Sequence, residues 1–169
     1  WSLLLSRARS DGCYHGPLRV RGTGETWGKY NLNHAHESKC HGDNLLLLRM
    51  VLLIHVASRF PLQYLLEHPA DPGEPHPSWW VTDQCASLRT LVGGRLISFD
   101  ACRLSQIVAK ATSVLTTLPG LDHLHGLRCN HSTHVKLWDH ATLARWPWPL
   151  MLLIAQGLRT ALQRDRRLS

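Results

Sequence analysis

No apolar run in this chain reaches membrane-spanning length. The longest, Leu45 to Ala57, is broken by Arg49 and His55 and falls short of the ~20 residues a span requires. No membrane segment is expected. The five cysteines are odd in number and show no paired spacing, which argues against a secreted disulfide framework. A reducing intracellular compartment, nucleus or cytoplasm, is the expectation. Leu3 to Leu5 is too short for a signal-peptide core, and an opening on Trp1 reads as a fragment, a processed product or an incomplete gene model. Acidic residues are few: 12 against 19 Lys and Arg, for a net charge of +7. That balance permits a polyanionic partner such as nucleic acid without demanding one. Much of the surplus lies at the ends, in Arg7, Arg9, Arg19 and Arg21 and again in Arg159, Arg164, Arg166 and Arg167. Such a fringe reads either as solvated tail or as nucleic-acid contact.

What is present is globular in composition, 44% hydrophobic and 18% charged, in a length that suits one domain. Residues 1–41 lack sustained periodicity and are rich in glycine, so they read as an irregular N-terminal segment with a short strand at Leu18 to Arg21. Arg21-Gly22-Thr23-Gly24 lacks the preceding strand and third glycine of a cofactor loop and reads as a turn. From residue 42 an α/β domain is expected. Asp43 or Asn44 starts a helix over Leu45 to Phe60, apolar nearly all round and therefore mostly buried, which Pro61 ends. Buried strands follow at Leu62 to Glu67, Arg95 to Asp100 and Ala111 to Leu118. Between the first two, Asp83 caps a short helix to Val92 that Gly93-Gly94 terminates. Trp79 and Trp80 read as loop anchors rather than base-stacking platforms. A last amphipathic helix, Leu150 to Gln163, presents Leu150, Leu153, Ile154, Gly157, Leu158, Ala161 and Leu162 on one face. Helix, strand, helix and strand in this order predict a partial Rossmann-like parallel sheet with flanking helices.

Two constellations carry potential chemistry. His123, His125, Cys129, His131 and His134 crowd one loop, and imidazole with thiolate is the donor set that zinc prefers. Cys129, His131 and His134 would supply three ligands, with His125 or a member of the His34-x-His36-x3-Cys40-His41 group as the fourth. The alternative is a surface loop that is merely histidine-rich. The second constellation is Glu67, placed at the C-terminal end of a strand, where it contacts a base or polar substrate, or else is simply the first exposed residue after the strand, or an ion partner for a nearby arginine. Asp100 ends the next strand, and a Glu67–Asp100 pair would suit acid–base hydrolysis. Cys13 and Cys102 are weaker candidates as nucleophiles, and Cys102 reads equally as a small apolar core residue.

The stretch Gly42-Asp43-Asn44-Leu45 to Met50, then Leu65-Leu66-Glu67-His68-Pro69-Ala70-Asp71-Pro72, then Leu96 to Asp100 through Gln106 and Lys110-Ala111-Thr112, resembles the C-terminal half of a cytosine-5 DNA methyltransferase domain, of the divergent kind found in protist retroelement-type reading frames. The resemblance implies a catalytic role for Glu67, in the place of the glutamate that holds the flipped cytosine, and substrate contact for Gln106; for Asp100, substrate contact is expected only from its place at a strand end. It also implies S-adenosylmethionine as cofactor and nucleic acid as partner. The family's Pro-Pro-Cys nucleophile motif and glycine-rich cofactor loop are absent from this chain. Attack on cytosine needs thiolate, glutamate and methyl donor together, so the resemblance implies a partial, catalytically inactive domain.

Overall fold

The computed structural model describes residues 27–28, 30–60, 62–73, 78–134 and 145–165. The expected strand at 18–21, the glycine turn at 21–24, Cys13, Pro61 and the outermost arginines lie outside the described residues. The chain divides into two compact units: residues 1–62 with 71–92, and 63–70 with 93–169.

Among the described residues, the first unit is helical. Helix α1 (His34–Ala57) begins where Asn33 caps it, its side-chain oxygen accepting from the His36 N–H at 2.9 Å. Glu37 in the first turn suits the positive end of the helix dipole. The helix therefore starts at His34 rather than near Leu45, and the boundary expected at residue 42 falls inside it. Its burial also differs from expectation. Only Cys40, Leu47 and Ile54, seven residues apart, are buried, while Leu45, Leu46, Leu48, Leu52, Leu53 and Val56 are exposed. Apolar residues all round make α1 long and apolar enough to cross a membrane by length and composition, which the interrupted run from Leu45 alone did not show.

After a 3-10 turn at Trp79–Val81, helix α2 (Asp83–Val92) follows. Both tryptophans are buried, as loop anchors should be. The cap is Thr82 rather than Asp83. Its hydroxyl donates to the Trp79 carbonyl at 2.8 Å and accepts from the Cys85 N–H at 3.2 Å. Cys85 and Leu88 form the buried face. Gly93, at φ +61°, ends the helix in the left-handed region that glycine adopts without strain.

The second unit holds a three-stranded sheet of β1 (Leu65–Pro69), β2 (Arg95–Asp100) and β3 (Ala111–Thr116), in the order β1-β3-β2. Both pairings are antiparallel, with Glu67 and Ile97 each opposite Val114. Mixed α/β content is as expected; the parallel, Rossmann-like sheet is not. The reason lies in the connections. Adjacent parallel strands need a crossover, usually helical, whereas β2 and β3 are joined through a 3-10 turn at Ala101–Leu104 and fold back as a hairpin. The connection from β1 to β2 does carry α2, and it leaves those two strands parallel to each other. They are not neighbours, because β3 lies between them.

The central strand β3 is buried along almost its whole length. Ile97, Phe99, Val114, Leu118, Leu121 and Leu124 form the core with Leu150 of helix α3 (Trp148–Asp165). Pro149 stands in the first turn of α3, where its missing N–H costs nothing. Leu150, Gly157 and Ala161 are buried, but Leu158 and Leu162, expected on that face, are exposed. Gly157 explains the rotation: a Cβ there would lie 2.8 Å from the Pro119 carbonyl oxygen, so the small residues turn inward to allow close approach.

Candidate metal centre

Two segments far apart in sequence meet beyond the end of β2. The first is the 3-10 turn of Ala101–Leu104, which continues β2 and buries Cys102. It closes at Ser105, whose φ of 70° is left-handed and whose N–H bonds back to the turn. The second is the coil after the 3-10 turn of Asp122–Leu124, anchored by Leu124 in the core. It runs along the free edge of β2: Gly126 N–H donates to the Ser98 carbonyl and Asp100 N–H to the Leu127 carbonyl, each at 2.9 Å. Edge pairing of this kind fixes where the coil ends. Asp100 then completes the register by accepting the Cys129 N–H at 2.7 Å on Oδ2.

The result is four donor groups, Cys102, Cys129, His131 and His134, whose ligand atoms all lie within 4.8 Å of one another. Cys129 Sγ is 3.4 Å from His131 Nδ1 and 3.3 Å from His134 Nε2. In a tetrahedral zinc site, bond lengths of ~2.3 Å to sulfur and ~2.0 Å to nitrogen put adjacent S and N donors about 3.5 Å apart. The two imidazoles meet edge to face at 5.3 Å, which aims both rings at one volume without stacking them. This cluster can hold a metal ion. Burial, and next a hydrogen bond with Cys129, push the Cys102 thiol up from 9.0 to about 11. It is therefore a protonated thiol without a metal, and a metal must displace that proton to bind the thiolate. Cys102, His131 and His134 also line a cleft of about 440 Å³, together with Ser105, Gln106, Ile107 and Thr133.

The residues singled out by sequence separate here. Cys129, His131 and His134 come together as expected. His125 does not supply the fourth ligand; its Nδ1 accepts the Ser98 N–H at 3.2 Å and so helps dock the coil on β2. Cys102 takes that place, and the His34–His41 group on α1 contributes none of the four donors. Twenty-odd residues separate Cys102 from Cys129, so no local spacing rule could have joined them; only the strand–turn geometry does. Asp100 sits behind the cluster, 3.9 Å from Arg128 on its other oxygen, and holds the Cys129 backbone.

Glu67 lies in the middle of β1, not at its end, and is ion-paired to Lys110 at 3.1 Å with both side chains largely buried. The pairing foreseen with an arginine is made with a lysine. Glu67 and Asp100 do not form a carboxylate pair. They are on the two outer strands, out of register, with Cα atoms about 14 Å apart from strand spacing and rise. Gln106 lines the same cleft as Cys102, His131 and His134. No protein-family model, curated protein or solved structure matches this chain.

Proposed function

We propose that the sheet-bearing unit is a small zinc-stabilised binding module. The observation that carries this reading is the convergence of two thiols and two imidazoles within 4.8 Å from segments that the sheet alone brings together. Two thiolates and two neutral imidazoles suit zinc over harder cations, which take oxygen ligands. Four protein donors fill a tetrahedral ion, so its role is to tie the coil of residues 125–134 to the turn after β2. A tie of this kind adds stability where a small three-stranded sheet has little core to spare.

Nucleic acid is the partner class that the charge supports. Arg103 follows Cys102 and Arg128 precedes Cys129, so the metal would fix the backbone of both. Both are exposed, and Arg103 Nη1 donates to the Arg128 carbonyl at 3.0 Å, which places them side by side. The methyltransferase-like alternative and its S-adenosylmethionine gain no support from an antiparallel sheet.

The test is metal analysis of the purified chain. One zinc per chain is expected, falling below a tenth in Cys102→Ser or Cys129→Ser and remaining near one in His125→Ala. Full zinc content in Cys102→Ser would reject the site. Salt-dependent binding of a DNA or RNA oligonucleotide, weakened by Arg103→Ala with Arg128→Ala, tests the partner; binding insensitive to salt and to both substitutions would refute it.

A further inference from the structure

We propose that the metal centre is also a thiol–disulfide switch, in which oxidation joins Cys102 to Cys129 and expels the metal. This rests on the zinc reading of the same four residues and concerns its regulation. The two sulfurs lie within 4.8 Å of each other, and a disulfide needs about 2.05 Å. The gap to close is less than about 3 Å, within reach of side-chain rotation on the coil that carries Cys129.

The two thiols are not equivalent. Cys102 is 5% exposed, whereas Cys129 is half-buried at the surface of the coil. Among the described residues the other cysteines, Cys40 and Cys85, are buried in the helical unit. An oxidant therefore meets Cys129 first, and Cys102 is the thiol placed to resolve the product. With a small-molecule disulfide as oxidant, the Cys129 thiolate attacks one sulfur of the reagent and releases the other half as a thiolate. The Cys102 thiolate then attacks Cys129 Sγ of the mixed disulfide and releases the second half. Two protein thiolates lose two electrons in all, the reagent disulfide becomes two thiolates, and the zinc ion leaves as Zn²⁺. His131 and His134 are left as two donors, which no longer hold it. Asp100 keeps its bond to the Cys129 N–H in both states, because that contact involves backbone rather than sulfur.

The experiment loads the full chain with zinc, measures stoichiometry, then adds oxidised glutathione. Released zinc is followed with a chromogenic chelator and the products by peptide mass mapping. The expected result is loss of one zinc per chain, together with a Cys102–Cys129 link, both reversed by a dithiol reductant and added zinc. Cys102→Ala should stop at glutathione on Cys129. Zinc release with no internal link, a link to another cysteine, or retention of zinc under oxidant would each overturn the switch and leave the zinc reading standing. A chain that takes up no zinc at the start would overturn the zinc reading, and the switch with it.

Discussion

At the scale of single residues, Asp100 matters more than its position at a strand end suggests. One carboxylate oxygen holds the backbone of Cys129, a candidate metal ligand, and contacts that support a ligand are worth about 10–100-fold in metal affinity. Asp100→Ala should weaken zinc binding by roughly that factor while Asp100→Asn, which keeps an acceptor oxygen, loses much less; competition with a chelator of known affinity measures both. Glu67 calls for a different experiment. As an exposed rim residue it could be removed without harm to folding, but the structure pairs it with Lys110 in a poorly solvated position. Glu67→Ala leaves that ammonium without its partner and should cost about 3 kcal/mol in urea unfolding, with Glu67→Ala/Lys110→Met recovering most of it. Equal stability of wild type and Glu67→Ala would show the pair to be solvated after all.

At the scale of elements, α3 is set by a close approach rather than by its leucines. Gly157 admits the Pro119 carbonyl, and alanine there trades about 1 kcal/mol of helix propensity against 1–3 kcal/mol of overpacking. Gly157→Ala should therefore lower the thermal midpoint, whereas the same change in an exposed helix would raise it. Gly94 is more restrictive still, since the Tyr64 hydroxyl occupies the space a Cβ would need and Leu115 Cδ1 is 2.9 Å from it. Helix α1 shows the opposite situation. Its buried stripe of Cys40, Leu47 and Ile54 is narrow, and six large apolar side chains on its other faces are exposed. Composition indicated an apolar helix, and it could not indicate how few of those residues would be covered.

At the scale of the whole molecule, proton linkage and the proposed metal site bear on the same stability. Burial raises Tyr64 from 10.0 to about 12, and Cys85 and Cys102 each from 9.0 to about 11. The folded chain keeps protons that the unfolded chain gives up. The resulting stability is fully present below about pH 9 and is lost as pH rises through the folded values. Denaturant midpoints of the metal-free protein should fall steadily above pH 9, and bound zinc, by holding Cys102 as thiolate, should remove that residue's share. Removing zinc from the proposed site should act in the same direction at neutral pH. At free zinc a thousandfold above its dissociation constant, binding contributes about 4 kcal/mol, so chelation should lower the melting temperature with the logarithm of free zinc. An unchanged melting curve would argue that the four donors do not bind the ion.

Sequence alone determined the local elements and the chemistry of their side chains. Strands β2 and β3 and helix α2 lie where β-branched runs, glycine stops and apolar spacing put them, since those signals act over a few residues. Three of the four metal donors were legible in the same way, because Cys129, His131 and His134 share one short loop. Strand direction was not legible, for neighbouring strands can be joined by a hairpin or a crossover and a buried strand reads alike in either. Nor was Cys102, which looks like any small core residue until a hairpin turn is laid beside a coil from much later in the chain. Those decisions belong to the tertiary structure, because they depend on which backbone edges pair, and edge pairing is settled by the whole packed unit rather than by any window of residues.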